Sequence, residues 1–283
     1  MALRSQPTAF QARLGAELRK MREAAGMTAR EAAERVGTTS AQMSHVESGR
    51  AGISAERVRQ MATQYACLDG ELIAELAAMA TDRDKGWWEE FRGVLAHRAL
   101  DLAELEHRAS SLSTFEGVYI PGLLQIEDYT RDLMSYGIPQ PSSRYLETLV
   151  AFRLRRRAVL TQCSPPEFHA VIHEAALRTR VSTRDTARKQ LDYLLAQSEQ
   201  PNITIRVVPF DIDRFGGAGN SLLYAAGPVP RLDTVYIDAL HGPGMLDAES
   251  QLVRYRALLD KAATFSLSTA KSRDFIHSIA QEL

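Results

Sequence analysis

Apolar positions recur at helical spacing over the first 80 residues, interrupted at short intervals by glycine and by small capping residues. Leu14, Leu18, Met21 and Ala25 fall on one face of a first helix, and Gly26 is placed to end it. Thr28 followed three residues later by Glu31 predicts a capping box for a second helix, whose small apolar face is Ala32, Ala33 and Val36. Gly37 breaks that helix. Thr39 caps a third, with Gln42 at the matching position, Met43 and Val46 turned inward and Gly49 as the stop. Ser54 caps a fourth helix carrying Val58, Met61, Ala62 and Tyr65, and Asp69 caps a fifth running to about Ala80. The other face of the third helix, Ser40, Ala41, Gln42, Ser44 and His45, is small and polar. That face suits a major groove about 12 Å wide.

Beyond the charged, non-periodic stretch at 81–86 the pattern changes, and the domain boundary is placed there, with residues 1–82 in one part and 83–283 in the other. A helix is expected to begin at Trp87 and Trp88. SLSTFEGVYIPG at 111–122 reads as a strand broken by Pro121-Gly122, and amphipathic helices follow from Leu123 and from Ser142 or Ser143. Phe168 opens another strand, Arg184 a helix, and Ile203–Phe210, Asn220–Ala225 and Thr234–Asp238 are rich in β-branched residues. From Asp247 onward the chain reads as helical, with a break near 266–268. The expected fold is mainly α with α+β: a five-helix N-terminal domain, then an α+β domain around a small mixed sheet.

Charge sharpens this division. The chain of 283 residues has a net charge of −1, too little for bulk attraction to nucleic acid. Residues 1–60, however, hold ten lysines and arginines against six acids, and the remainder is net acidic. A basic head on an acidic body fits a DNA reader whose body stays off DNA. Two distant cysteines, no signal-type leader and no long apolar run lead to the expectation of a reduced, cytoplasmic protein without a membrane span.

Val36–Arg50, VGTTSAQMSHVESGR, resembles the turn and recognition helix of the Xre-type repressor domain, the helix-turn-helix class of the lambdoid phage repressors. The resemblance implies base-facing roles for Ser40, Ala41, Ser44 and His45 and phosphate-facing roles for Thr39 and Arg50. It also implies an internal ion pair between Arg22 and Glu47. Ala29 stands where the family often has glutamine, which removes one DNA hydrogen bond and leaves Arg30 beside it as a phosphate contact. Gln42 and His45 are the side chains with directional bonds, and Gln42 ranks second because of its expected capping role.

The remainder, through WWEEF, IPGLLQ with a following tyrosine, RLRRRAVL and NITIRVVPF, resembles a domain found behind such heads in actinomycete antitoxin-like regulators of the Scr type. That resemblance implies a regulatory, partner-binding unit with a small companion protein encoded nearby, and no catalytic residues. The chain is therefore read as a non-enzymatic regulator that binds a double-stranded DNA operator as a homodimer, with no cofactor and no metal. An antitoxin-like protein that sequesters its companion and a small-molecule-sensing repressor are the alternatives.

Other features read more plainly. His169 and His173 lack the zinc-protease order and a third ligand. Gly216–Asn220 is a turn before a strand, with ligand contact as the alternative. Arg153, Arg155, Arg156 and Arg157 default to a solvated helix face, with an acidic partner or DNA backbone as alternatives. Leu252, Tyr255, Leu259 and Ala262 form a stripe that is core or interface.

Overall fold

The computed structural model describes residues 4, 6–216, 221–238, 242 and 244–283. Five helices come first: α1 (Ala9–Ala24), α2 (Ala29–Arg35), α3 (Ser40–Glu47), α4 (Ala55–Gln64) and α5 (Gly70–Thr81). Their starts follow the caps in the sequence. Thr28 and Glu31 close a reciprocal capping box, and Thr39, Ser54 and Asp69 each accept a backbone N–H from the first turn of their helix. At α3, among the described residues, only the Thr39 half of the box is made, so the Gln42 side chain is not held by capping. Gly26, Gly37 and Gly49 all take positive φ at the helix ends. Leu18, Met21, Ala32, Val36, Met43, Val58, Met61 and Leu76 form the buried interior. The α1–α3 contact depends on Gly15, where a Cβ would stand 2.5 Å from the carbonyl oxygen of Glu47.

Trp87 does not begin an α-helix. Trp87–Phe91 is a single 3-10 turn, Gly93 follows at φ +80°, and α6 (His97–Arg108) starts only after it. The chain forms two compact units, Met1–Leu105 and Glu106–Leu283. Residues 83–105 therefore lie with the helical head in space. One bond that holds them there runs from the Ala9 backbone N–H, at the start of α1, to Asp101 Oδ1 at 2.9 Å.

The second unit continues with β1 (Ser111–Glu116), α7 (Glu127–Ser135), α8 (Ser143–Arg156), β2 (Glu167–His173), α9 (Glu174–Arg178), α10 (Arg184–Gln197) and β3 (Ile203–Val208). Then come β4 (Leu222–Ala226), β5 (Thr234–Ile237), β6 (Gly244–Leu246), α11 (Glu249–Phe265) and α12 (Thr269–Glu282). The sheet is six-stranded and mixed, in the order β3-β2-β1-β4-β5-β6. β1, β2 and β3 pair in parallel, joined by helical crossovers as parallel strands require, and β4, β5 and β6 follow antiparallel. Sequence patterning did not predict β6, which is only three residues long.

On one face of the sheet Phe115, Val171, Leu222, Tyr224 and Val235 pack with Leu252 and Ala262 of α11, while Tyr255 and Leu259 pack partly buried against them. The stripe on α11 is thus core. The Gly216–Asn220 turn, beyond Gly216, lies outside the described residues. Among the described residues no helix is long and apolar enough to cross a membrane.

Candidate nucleic-acid interface

α3 is held from behind by very little. Met43 is buried, Val46 is half-buried, and the end of the helix is fastened by charge. Arg22 Nε and Nη2 donate to Glu47 Oε1 and Oε2 at 2.6 and 2.9 Å, and Nη1 donates to the Met27 carbonyl at 2.7 Å. Both side chains are less than a tenth exposed. This is a two-pronged guanidinium–carboxylate contact, and the hydrogen bonds that Arg22 donates to Glu47 hold its pKa above the usual value despite burial. Tyr65 lies in the same interior, its hydroxyl 3.8 Å from Met43 Sδ, and burial pushes its pKa up to about 12.

With the inward side fixed in this way, the outward side is free of packing duties. Ser40, Ala41 and Ser44 are exposed and His45 is half-buried on the face opposite Met43. Gln42 is half-buried at the flank of that face. Thr39 is exposed at the N-terminus of α3, with its hydroxyl accepting the Gln42 N–H at 3.1 Å. Arg50 is exposed just beyond Gly49, and its carbonyl accepts the Arg4 N–H at 2.9 Å. The residues singled out on α3 are thus brought onto one surface. Arg30 lies on α2, exposed, and its Nε donates to Glu34 Oε1 at 3.1 Å in a pair one helical turn long. An exposed pair of this kind contributes little to stability and opens readily.

The candidates in the second unit fare differently. His169 is half-exposed beside Glu167 at 3.4 Å. His173 Nδ1 accepts the Ala175 N–H at 3.2 Å, and its ring stacks on Phe215. Burial holds the His173 pKa below its ordinary value. Among the described residues no group of three or more His, Cys, Asp or Glu is arranged to hold a metal ion.

The arginine-rich end of α8 is not a solvated face. Arg156 is buried against Glu106, with Nε and Nη2 donating at 2.8 and 2.5 Å. Arg153 donates to Gln125, and the Arg157 guanidinium lies 4.7 Å from the Tyr193 ring centroid. Only Arg155 of the four is exposed. The signal that sequence reasoning missed is the buried Glu106, whose partner is 50 residues away.

Residues 13–76 match the family model of a helix-turn-helix domain, which supports a DNA-binding regulator. Residues 99–278 match that of a domain of unknown function, DUF5753. No curated protein and no solved structure matches the chain.

Proposed function

Because the chain belongs to the DUF5753 family and carries a helix-turn-helix domain ahead of that region, we propose that it is a sequence-specific transcriptional regulator of Xre type. The observation that carries this reading is the outward face of α3, with Ser40, Ala41 and Ser44 exposed and His45 half-buried, on a helix fixed from behind by Met43 and the Arg22–Glu47 pair. Ser40, Ala41, Ser44 and His45 read base edges in the major groove, and Gln42 reaches an edge from the flank. Thr39, Arg50 and the first backbone amides of α3 set the head on phosphates. Arg30 joins them by exchanging Glu34 for a phosphate oxygen. One short readout specifies too few bases, so two copies bind a roughly palindromic operator with half-sites about 10–10.5 bp apart.

In this proposal residues 1–82 are the DNA-binding part, and 83–283 receive a partner or effector and support the homodimer. The length of the second part supports this reading, because a dimerisation helix needs far fewer residues. The regulator acts in the cytoplasm and catalyses no reaction. A small companion protein fits the antitoxin-like resemblance of that part.

The test is the salt dependence of operator binding by the full chain. Arg50→Ala should weaken specific and non-specific binding alike and flatten the slope of log K against log salt by about one unit. An unchanged slope and affinity would remove Arg50 from the phosphate contacts.

A further inference from the structure

Three helices of the head begin on the same pattern, a threonine followed three positions later by an acid or an amide: Thr8 with Gln11, Thr28 with Glu31, and Thr39 with Gln42. In each, the threonine stands in extended backbone and its hydroxyl accepts the N–H three residues on, at 3.3, 3.3 and 3.1 Å. At α1 and α2 the longer side chain returns the bond. Gln11 Oε1 accepts the Thr8 N–H at 3.3 Å, and Glu31 Oε2 accepts the Thr28 N–H at 2.8 Å. At α3 it does not. Gln11 shows that a glutamine closes this box elsewhere in the same chain, so residue type is not what leaves Gln42 open.

Gln42 finds no substitute partner either. Among the described residues its side-chain amide makes no hydrogen bond. Among the same residues no buried side-chain nitrogen or oxygen lacks a partner. The amide atoms of this half-buried residue therefore reach solvent, and the covered portion is the stem. A donor and an acceptor are thus held uncommitted at the flank of the outward face of α3.

The rest of that face decides what they can meet. Ser40, Ala41 and Ser44 are short and exposed, so they leave little bulk between the helix and a groove floor. A longer side chain at the flank then comes within reach of base edges. The helix itself, SAQMSHVE, contains no lysine or arginine. The two-pronged guanine contact that those residues make is therefore not available from α3.

A primary amide carries its acceptor and its donors side by side. Adenine presents the complementary pair in the major groove, with N6 donating and N7 accepting. Guanine presents two acceptors, cytosine a donor alone, and thymine an acceptor beside a methyl group. On each of those three bases one half of the amide is left unpaired. An unpaired polar group in a closed interface outweighs the single bond formed.

We infer that Gln42 is a specificity-determining residue and that each operator half-site carries an adenine which it reads, Oε1 accepting from N6 and Nε2 donating to N7. The open box serves this role, because an amide closed onto the Thr39 N–H would be spent on the helix itself.

This inference rests on the reading of α3 as the base-facing helix, and the test separates the two. Duplexes are selected from a randomised pool by the full chain and by Gln42→Ala. The parent's best site is then made with 7-deazaadenine in one half-site at the adenine that depends on Gln42, which removes N7 as an acceptor and leaves N6. The parent should enrich a motif with an adenine that Gln42→Ala no longer requires. The analogue should weaken parent binding about fivefold or more and leave Gln42→Ala binding unchanged. A purely structural role for Gln42 would not make the effect of one base atom depend on it. Gln42→Glu, which cannot donate to N7, should lose the adenine requirement while keeping a residue able to close the box as Glu31 does. A motif unchanged in Gln42→Ala, a Gln42-dependent base other than adenine, or an equal loss from the analogue in parent and variant would overturn the inference and leave the base-facing reading of α3 standing. A parent that enriches no motif would overturn both.

Discussion

Each of the two units contains a buried arginine–glutamate pair, and the pairs serve their surroundings in opposite ways. In the head, Arg22–Glu47 fastens α1 to α3, and the face of α3 turned away from it is left small, polar and exposed. In the second unit, Arg156–Glu106 fastens α8 to the end of α6, and its neighbour Arg153 is drawn inside with it. In the proposed reading one pair clears a surface for DNA. The other draws a second guanidinium, Arg153, onto the neutral Gln125 beside it. Four arginines within five residues therefore do not make a basic surface unless their partners lie in solvent.

The comparison is broken most sharply by removing the arginine of each pair. Arg156→Ala abandons Glu106, which is 2 % exposed, and should cost about 4 kcal/mol of stability in urea unfolding. Arg22→Ala abandons Glu47, slightly more exposed at 7 %, and should cost about 3 kcal/mol with a parallel loss of DNA affinity. Near-equal urea midpoints for parent and either variant would mean that the pair does not anchor its unit.

A smaller effect distinguishes the two interiors by pH. Glu116 titrates near 7 when folded and near 4.5 when unfolded, so the folded state holds its proton more tightly. Its contribution is full below the unfolded value and is lost as pH rises through about 7. Glu116→Gln should flatten that decline, by on the order of 3 kcal/mol between pH 4 and pH 8. Parallel stability–pH curves for parent and variant would place Glu116 in open solvent.

The two regions also differ in how far the sequence revealed them. The head is written in local signals: Thr28 with Glu31, Thr39 and Ser54 each act within one turn, and the glycine stops lie next to the helices they end. The same holds for α11 and α12, whose break at 266–268 is visible as a polar gap. Arg153, Arg156 and Arg157 take partners 28, 50 and 36 residues away, and no local pattern encodes those distances. Trp87 was misleading for a different reason. An aromatic pair beside acids looks like a helix start, but Gly93 at positive φ stops the turn before α6.

The central claim is that the exposed face of α3 reads DNA sequence. The most direct measurement is selection of bound duplexes from a randomised pool by the full chain, repeated with His45→Ala and Ser44→Ala. The parent should enrich one two-fold symmetric motif, with half-sites about 10–10.5 bp apart. Each variant should broaden a single position in each half-site and lose about 1–3 kcal/mol on the parent's best site. No enriched motif with the parent, or identical motifs and affinities with both variants, would contradict the claim.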